Sequence, residues 1–291
     1  MRVARYLAPG AHAPAVGIIT GTTVAEISAA GDDLGALLLL NRSEIERLHH
    51  SADVYRDLDS LRLLPPVGRP GKLLMLAANY HPTDVRNEVD LDVETPQFFI
   101  KPSTALLAHD EAIPHNPIVG EQVEEIELGA VIGRPGKNIS RQDAFDHIFG
   151  FTIVNDVSAR SLRFSDQRSN PDRVHWFDWL NGKWLDGYCP VGPWIVPTEY
   201  FGDPDTGNLK LTTKINGEVR IDSNTNRMIH PVANQIAYIS TLCTLEPGDI
   251  ISTGVALAAS GADESFLQYG DVVEGEIEGI GTLRNTVGKL A

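Results

Sequence analysis

The chain has 291 residues, 42% hydrophobic and 22% charged, a composition with ample material for a buried core. Its 24 basic and 39 acidic residues leave a formal charge of −15, and no run of Lys or Arg interrupts that acidity, which argues against nucleic acid and anionic membrane surfaces as partners. No apolar run reaches the roughly 18 residues of a bilayer span, and the N-terminus lacks the apolar core of a signal peptide; Cys189 and Cys243 show no metal or disulfide pattern, so a cytoplasmic setting is expected.

Residues 1–70 read as a small N-terminal domain. Short apolar runs, "AVGIIT" and "TVAEI", suggest a small sheet. In "SEIERLHHSADVYRDLDSL", Ser43 and Glu46 have capping-box spacing, and Ile45, Leu48, Ala52, Tyr55 and Leu58 recur at helical intervals, predicting one helix. "LLPPVGRPG" is turn chemistry and marks a boundary. Residues 71–291 then read as a larger, strand-rich domain. "KLLMLAANY", "PQFFIKPS", "IELGAVIG", "GFTIVNDVS" and "GPWIV" are short apolar runs bounded by Gly and Pro. "LKLTTKINGEVRID" alternates around Asn216-Gly217, a strong hairpin signal. "HPVANQIAYISTLCTL" places Val232, Ile236, Ile239 and Cys243 on one helical stripe, and "VVEGEIEGIGTLRNTV" reads as a closing hairpin. The class is mainly β with few helices (α+β), not an alternating βαβ chain.

Glu125 and Glu127, two apart in "VEEIELGAVIG", point to the same face of an extended chain. Buried there without a partner, they would repel each other or protonate. A third acid, Asp156, ends the apolar strand "GFTIVND". If the two strands pair, three carboxylates converge. Oxygen-only ligation, with no His or Cys nearby, suits Mg²⁺, Mn²⁺ or Ca²⁺ better than zinc; a solvated strand face is the alternative.

Six segments in order resemble the fumarylacetoacetate hydrolase family: "GKLLMLAANY", "PQFFIKPSTAL" with Ile113 and Pro114 after it, "EIELGAVIG", "GFTIVNDVSAR", "GKWLDGYCPVGPWIV" and "LEPGDIISTG". The resemblance implies a mixed β-sandwich roll fronted by a small N-terminal domain, and a homodimer. It puts Glu125, Glu127 and Asp156 on the family's metal-ligand positions, usually filled by Mg²⁺, with Mn²⁺ or Ca²⁺ as alternatives. It puts Lys183 on the lysine that reaches the substrate and Thr253 on the pocket threonine, and it makes Lys101 a candidate substrate contact.

The implied activity is cleavage of a carbon–carbon bond in a small 2,4-dioxo acid, an acylpyruvate or a sugar-acid derivative. Decarboxylation of an oxaloacetate-like acid, keto–enol isomerisation, or a non-catalytic ligand-binding role are the alternatives. Three departures from the family pattern bear on this choice. Where relatives carry His and Glu after Asn-Tyr, "NYHPTDVRNE" has Thr83 and Arg86, leaving His81 and Glu88 as candidate bases. Ser161 and Arg163 replace the usual Asp and Gln, and Arg163 is a candidate fork for a substrate carboxylate. "TGVALAAS" replaces the usual Pro-containing loop.

Overall fold

A computed structural model describes residues 1–31, 33–35, 37–81, 94–115, 119–167, 169, 175–201, 208–255 and 266–289. In chain order, the leading region contains β1 (Arg2–Leu7), β2 (Ala15–Thr20), β3 (Thr23–Glu26), α1 (Arg42–His50), β4 (Tyr55–Asp57) and β5 (Arg62–Leu64). Then come β6 (Leu73–Ala77), β7 (Gln97–Lys101), β8 (Leu106–Leu107), β9 (Ala112–Pro114), β10 (Gln122–Val123), β11 (Ile126–Ile132), β12 (Ile148–Asn155) and β13 (Ser158–Ala159). The remainder holds α2 (His175–Asn181), β14 (Cys189–Pro197), α3 (Thr198–Phe201), β15 (Lys210–Ile215), β16 (Glu218–Asn224), α4 (Val232–Leu242), β17 (Ile250–Ser252), β18 (Val272–Ile277) and β19 (Gly281–Gly288).

Two sheets stack. The larger runs β4-β3-β2-β1-β14-β12-β11-β17-β6-β7, with β5 on β1 and β8 on β14; the smaller runs β16-β15-β18-β19-β9. Leu128, Ala130, Phe151 and Ile153 from the first share a core with Leu211, Val273, Ile277 and Leu283 from the second. Alternation along β11 sends Leu128 and Ala130 into this layer and Val131 to the opposite face, where it packs with Met75, Phe99, Val154 and Cys189. Pairs are mostly antiparallel, but β17 runs parallel to β6, so the sheet is mixed, and the few helices do not alternate with its strands, consistent with the α+β class.

Asn216 (φ 53°) and Gly217 (φ 83°) form the tight turn of the β15–β16 hairpin, since both accept the left-handed conformation such a turn demands. The predicted first helix is shorter than its pattern. Asn41, not Ser43, caps it: its Oδ1 accepts from the Glu44 N–H at 3.1 Å, and Glu44 Oε2 accepts from the Asn41 N–H at 2.9 Å. The helix stops at His50, and Tyr55 joins β4 opposite Ala25. A strand partner 30 residues away outweighs helical spacing that carries few buried side chains. The leading strands continue the large sheet through Val3 opposite Ile195.

Candidate metal centre

β11 and β12 pair with Ile126 opposite Asn155 and Glu127 opposite Val154. That register sets Asp156, one step past its strand, against Glu125, one step before its own; the Asp156 N–H donates to the Glu125 carbonyl at 2.8 Å. The Asn155 side chain accepts from the Glu125 N–H at 3.0 Å and fixes the strand entry. Glu125, Glu127 and Asp156 are all buried, and one carboxylate oxygen from each lies within 4.8 Å of the others.

The chain neutralises two of these acids itself. Lys183 Nζ donates to Glu125 Oε2 at 2.8 Å and to Asp156 Oδ2 at 2.6 Å. Ser158 Oγ (2.7 Å) and Arg160 Nη2 (2.9 Å) donate to Glu125 Oε1. Lys101 Nζ donates to Asp156 Oδ1 at 2.6 Å, and to the carbonyls of Val157 (3.0 Å) and Tyr188 (2.8 Å). Burial works against ionising Asp156, but the Lys101 and Lys183 ammonium groups outweigh it and hold the carboxyl below its usual range. Burial likewise opposes charge on Lys183, yet Asp156 and Glu125 overcome it, so its pKa is raised and it stays an ammonium.

Glu127 differs. Ser252 Oγ (2.6 Å) and the Gly254 N–H (2.8 Å) both donate to Oε2, while Oε1 is buried with no hydrogen-bond partner among the described residues. No basic group among the described residues bonds to it, and burial, then the charges of Asp156 and Glu125, push its carboxyl well above the ordinary range. A bare buried acceptor beside two further carboxylates fits a hard divalent cation held by Glu125, Glu127 and Asp156, because oxygen donors of this kind are what such ions take.

The other sequence candidates fall as follows. Thr253 follows Ser252, its N–H donating to the Leu128 carbonyl at 2.9 Å, and its buried hydroxyl has no partner among the described residues. Lys101 lies in the cluster, but its three hydrogens are already placed on Asp156, Val157 and Tyr188. It holds Asp156 and has no hydrogen left over for a substrate. Arg163 is exposed, its Nη1 donating to the carbonyls of Arg160 (3.1 Å) and Leu162 (2.8 Å) rather than pointing into the cluster. His81 is half-buried and its backbone is tied to Arg227. Glu88, with Thr83 and Arg86, lies outside the described residues.

The sequence does not single out Ser158, Arg160 or Ser252. Ser158, two residues past Asp156, opens the strand that pairs with Gln122 and Val123, and Arg160 follows directly after that strand; the pairing brings both to Glu125. Lys183 touches the rings of Phe99 and Trp179, its Nζ 5.3 and 5.7 Å from their centroids. The ammonium has one hydrogen beyond the two given to Glu125 and Asp156.

The fold and the cluster together define a β-rich chain built around a buried carboxylate centre fit for a divalent cation. The family described as "Fumarylacetoacetate (FAA) hydrolase C-terminal" matches residues 74–288, and the chain belongs to it. An uncharacterized protein of Methanocaldococcus jannaschii is 39% identical over 221 residues, 75% of this chain and 84% of its own. The structure of 5-carboxymethyl-2-hydroxymuconate delta-isomerase from Mycobacterium smegmatis superposes with a TM-score of 0.77 at 30% identity, covering 100% of both chains. Maleylpyruvate hydrolase from Sphingobium sp. SYK-6, in complex with manganese(II) ion and pyruvate, gives 0.80 at 25% identity, again over 100% of both. An isomerase and a hydrolase among the structural relatives support an enzyme here, on a metal-binding fold. No helix among the described residues is long and apolar enough to cross a membrane.

Proposed function

We propose that the chain is a divalent-metal-dependent hydrolase that cleaves a carbon–carbon bond in a small 2,4-dioxo acid, releasing pyruvate or a related 2-oxo acid. The observation that carries this reading is the buried acid trio with one bare oxygen on Glu127, next to an ammonium on Lys183 with one hydrogen uncommitted to either acid. A structural relative solved with manganese(II) and pyruvate supports a 2-oxo acid as the substrate class. Glu125, Glu127 and Asp156 would hold Mg²⁺, or Mn²⁺ or Ca²⁺ in its place. When bound, such an ion supplies Lewis-acid polarisation of the 2-oxo carbonyl.

The chain's own residues do the rest. A base, His81 or Glu88, takes a proton from water, whose oxygen adds to the acyl carbonyl. The bond between that carbon and the adjacent methylene breaks, and its electron pair passes into the enolate of the departing 2-oxo acid. Lys183 stabilises the oxygen on which this charge collects. Protonation of the carbon then gives the 2-oxo acid beside a carboxylic acid. Thr253 offers its free hydroxyl to the substrate, Lys101 acts by holding Asp156, and Arg163 stays at the rim. The substrate is a small molecule, and we assign residues 71–291 to catalysis and 1–70 to the small leading domain. A cytoplasmic homodimer completes the proposal; exposed Trp176, Phe177 and Trp184 offer apolar surface for a second copy, which light scattering would detect.

Isomerisation is the second reading, favoured by Thr83 and Arg86 in place of the usual His and Glu and by the isomerase relative. A proton shuttle suffices for it, with no attacking water. The test is ultraviolet decay of an acylpyruvate panel, with pyruvate and carbon dioxide measured separately, in Mg²⁺, Mn²⁺ or excess EDTA. Metal-dependent pyruvate release supports hydrolysis. Carbon dioxide from oxaloacetate, or a spectral shift without cleavage, replaces it with decarboxylation or isomerisation.

A further inference from the structure

Tyr80 is the residue in this site that packing alone does not explain. β6 ends at Ala77, and Ala78 takes a left-handed backbone (φ 52°) that a residue with a side chain rarely adopts. Asn79 secures the turn with its side chain. Its Oδ1 accepts from the His230 N–H at 2.8 Å, and its Nδ2 donates to the carbonyls of His230 (3.2 Å) and Thr253 (2.7 Å). Gly254 makes room for it: at φ 90°, an added Cβ would stand 3.0 Å from Asn79 Cβ. The turn thereby drives Tyr80 inward, where its ring joins the main core and only 4% of the residue is exposed.

The Asn79 bond to the Thr253 carbonyl and the Gly254 N–H bond to Glu127 Oε2 set this turn against the segment that carries the Thr253 hydroxyl and touches Glu127. Among the described residues, Tyr80 Oη, Thr253 Oγ1 and Glu127 Oε1 are all buried and none completes a hydrogen bond of good geometry, the two hydroxyls having only each other to interact with. A lone orphan is a local imperfection, but three at one place, two donors and one acceptor, describe the complement of a missing ligand. The carboxylate suits a cation, and the hydroxyls suit an oxygen adjoining it. Burial also raises the pKa of the phenol, so it remains a donor rather than a base.

The geometry points to Tyr80 as a further catalytic residue: with Thr253, its neutral phenol donates a hydrogen bond to the substrate oxygen that gains charge as the enolate forms. This rests on the 2-oxo-acid reading above. No proton is transferred; the donor is fixed in advance in a water-poor site, where such a bond strengthens as charge grows. A tyrosine kept for packing would instead lose nothing as phenylalanine except the burden of an unpaired hydroxyl.

Tyr80→Phe and Thr253→Val are the test, with oxalate as the probe, a planar dianion shaped like the enolate of a 2-oxo acid. Calorimetry of the Mn²⁺-loaded protein is expected to show oxalate binding about 10- to 100-fold weaker in either variant, the worth of a hydrogen bond to a charged oxygen. Mn²⁺ affinity should be unchanged. Without metal, Y80F should melt at or above the temperature of the parent, because it loses a buried hydroxyl that has no partner. Oxalate bound equally by parent and Y80F overturns the role of Tyr80 and leaves the 2-oxo-acid reading standing. A markedly lower melting temperature for metal-free Y80F overturns it too, since the hydroxyl is then structural. A parent that takes up Mn²⁺ but ignores oxalate removes the reading and the inference together.

Discussion

Lys101→Met separates a residue that positions a ligand from one that binds substrate. Lys101 has no exposed side-chain surface, and its ammonium is shared among Asp156 Oδ1 and the carbonyls of Val157 and Tyr188. Methionine fills a similar volume but leaves those three acceptors short. Removing one partner of a buried ion pair costs about 3–5 kcal/mol. Two carbonyls losing a donor add to this, while Lys183, still bonded to Asp156, offsets part of it. A net loss of about 4 kcal/mol is a large share of the roughly 5–15 kcal/mol that holds a folded domain. With an m-value of about 3 kcal/mol per molar, the urea midpoint of the metal-free protein should fall by about 1 M or more at unchanged m. Saturating Mn²⁺ should narrow the gap, because a cation at Asp156 replaces part of what the ammonium supplied. A midpoint within experimental scatter of the parent, with a raised KM, would refute the reasoning and make Lys101 a substrate group.

Glu127→Gln should leave the metal-free protein about as stable as the parent, since burial and the neighbouring acids already press the Glu127 carboxyl toward its neutral form and the amide oxygen still accepts from Ser252 and Gly254; it should also abolish the rise in melting temperature on adding Mn²⁺, and a metal-free variant markedly less stable than the parent would contradict the electrostatic account. Gly254→Ala should cost about 1–3 kcal/mol through its φ of 90° and the 3.0 Å approach to Asn79 Cβ, read by thermal melting, and a neutral result would mean the turn yields. Burial pushes the Cys189 thiol up to about 12, so in native protein at pH 8 it should resist Ellman's reagent and react only on unfolding. Labelling of Cys189 in the native state would show that the strand opens locally.

What could be read from the chain divides by distance. The Asn216-Gly217 turn was legible because its cause is local: two adjacent residues tolerate the backbone that the hairpin needs. Glu125 and Glu127 were legible as a same-face pair because a strand has a period of two, and Asp156 because an apolar strand ended on it. Helical spacing through Tyr55 misled because β4 is made by pairing with β3, a contact no window of neighbouring residues contains. The work of Lys101 was equally hidden. Two of its three acceptors are backbone carbonyls, at Val157 and Tyr188, and a carbonyl carries no signature in the amino-acid code.

Sequence reasoning also asked one cation to answer the repulsion between Glu125 and Glu127, whereas the folded chain divides that task. Glu125 and Asp156 take protein cations from Lys183, Lys101 and Arg160; Glu127 takes only a hydroxyl and a backbone N–H. The division has a physical logic. With every acid left bare, the metal-free chain would have to bury three like charges, several kcal/mol of penalty that a marginally stable fold can scarcely absorb. With every acid matched to a lysine, an arriving divalent ion would find no net attraction and would have to expel an ammonium group first. One unmatched carboxylate lets the chain fold without metal while keeping a strong pull on a cation, and it sets that pull on the strand bordering Ser252, Thr253 and Gly254. Thr253 lies on that segment and Asn79, next to Tyr80, is bonded to its carbonyl, so cation and substrate oxygen would meet where the buried hydroxyls and Glu127 Oε1 have no other protein partner among the described residues.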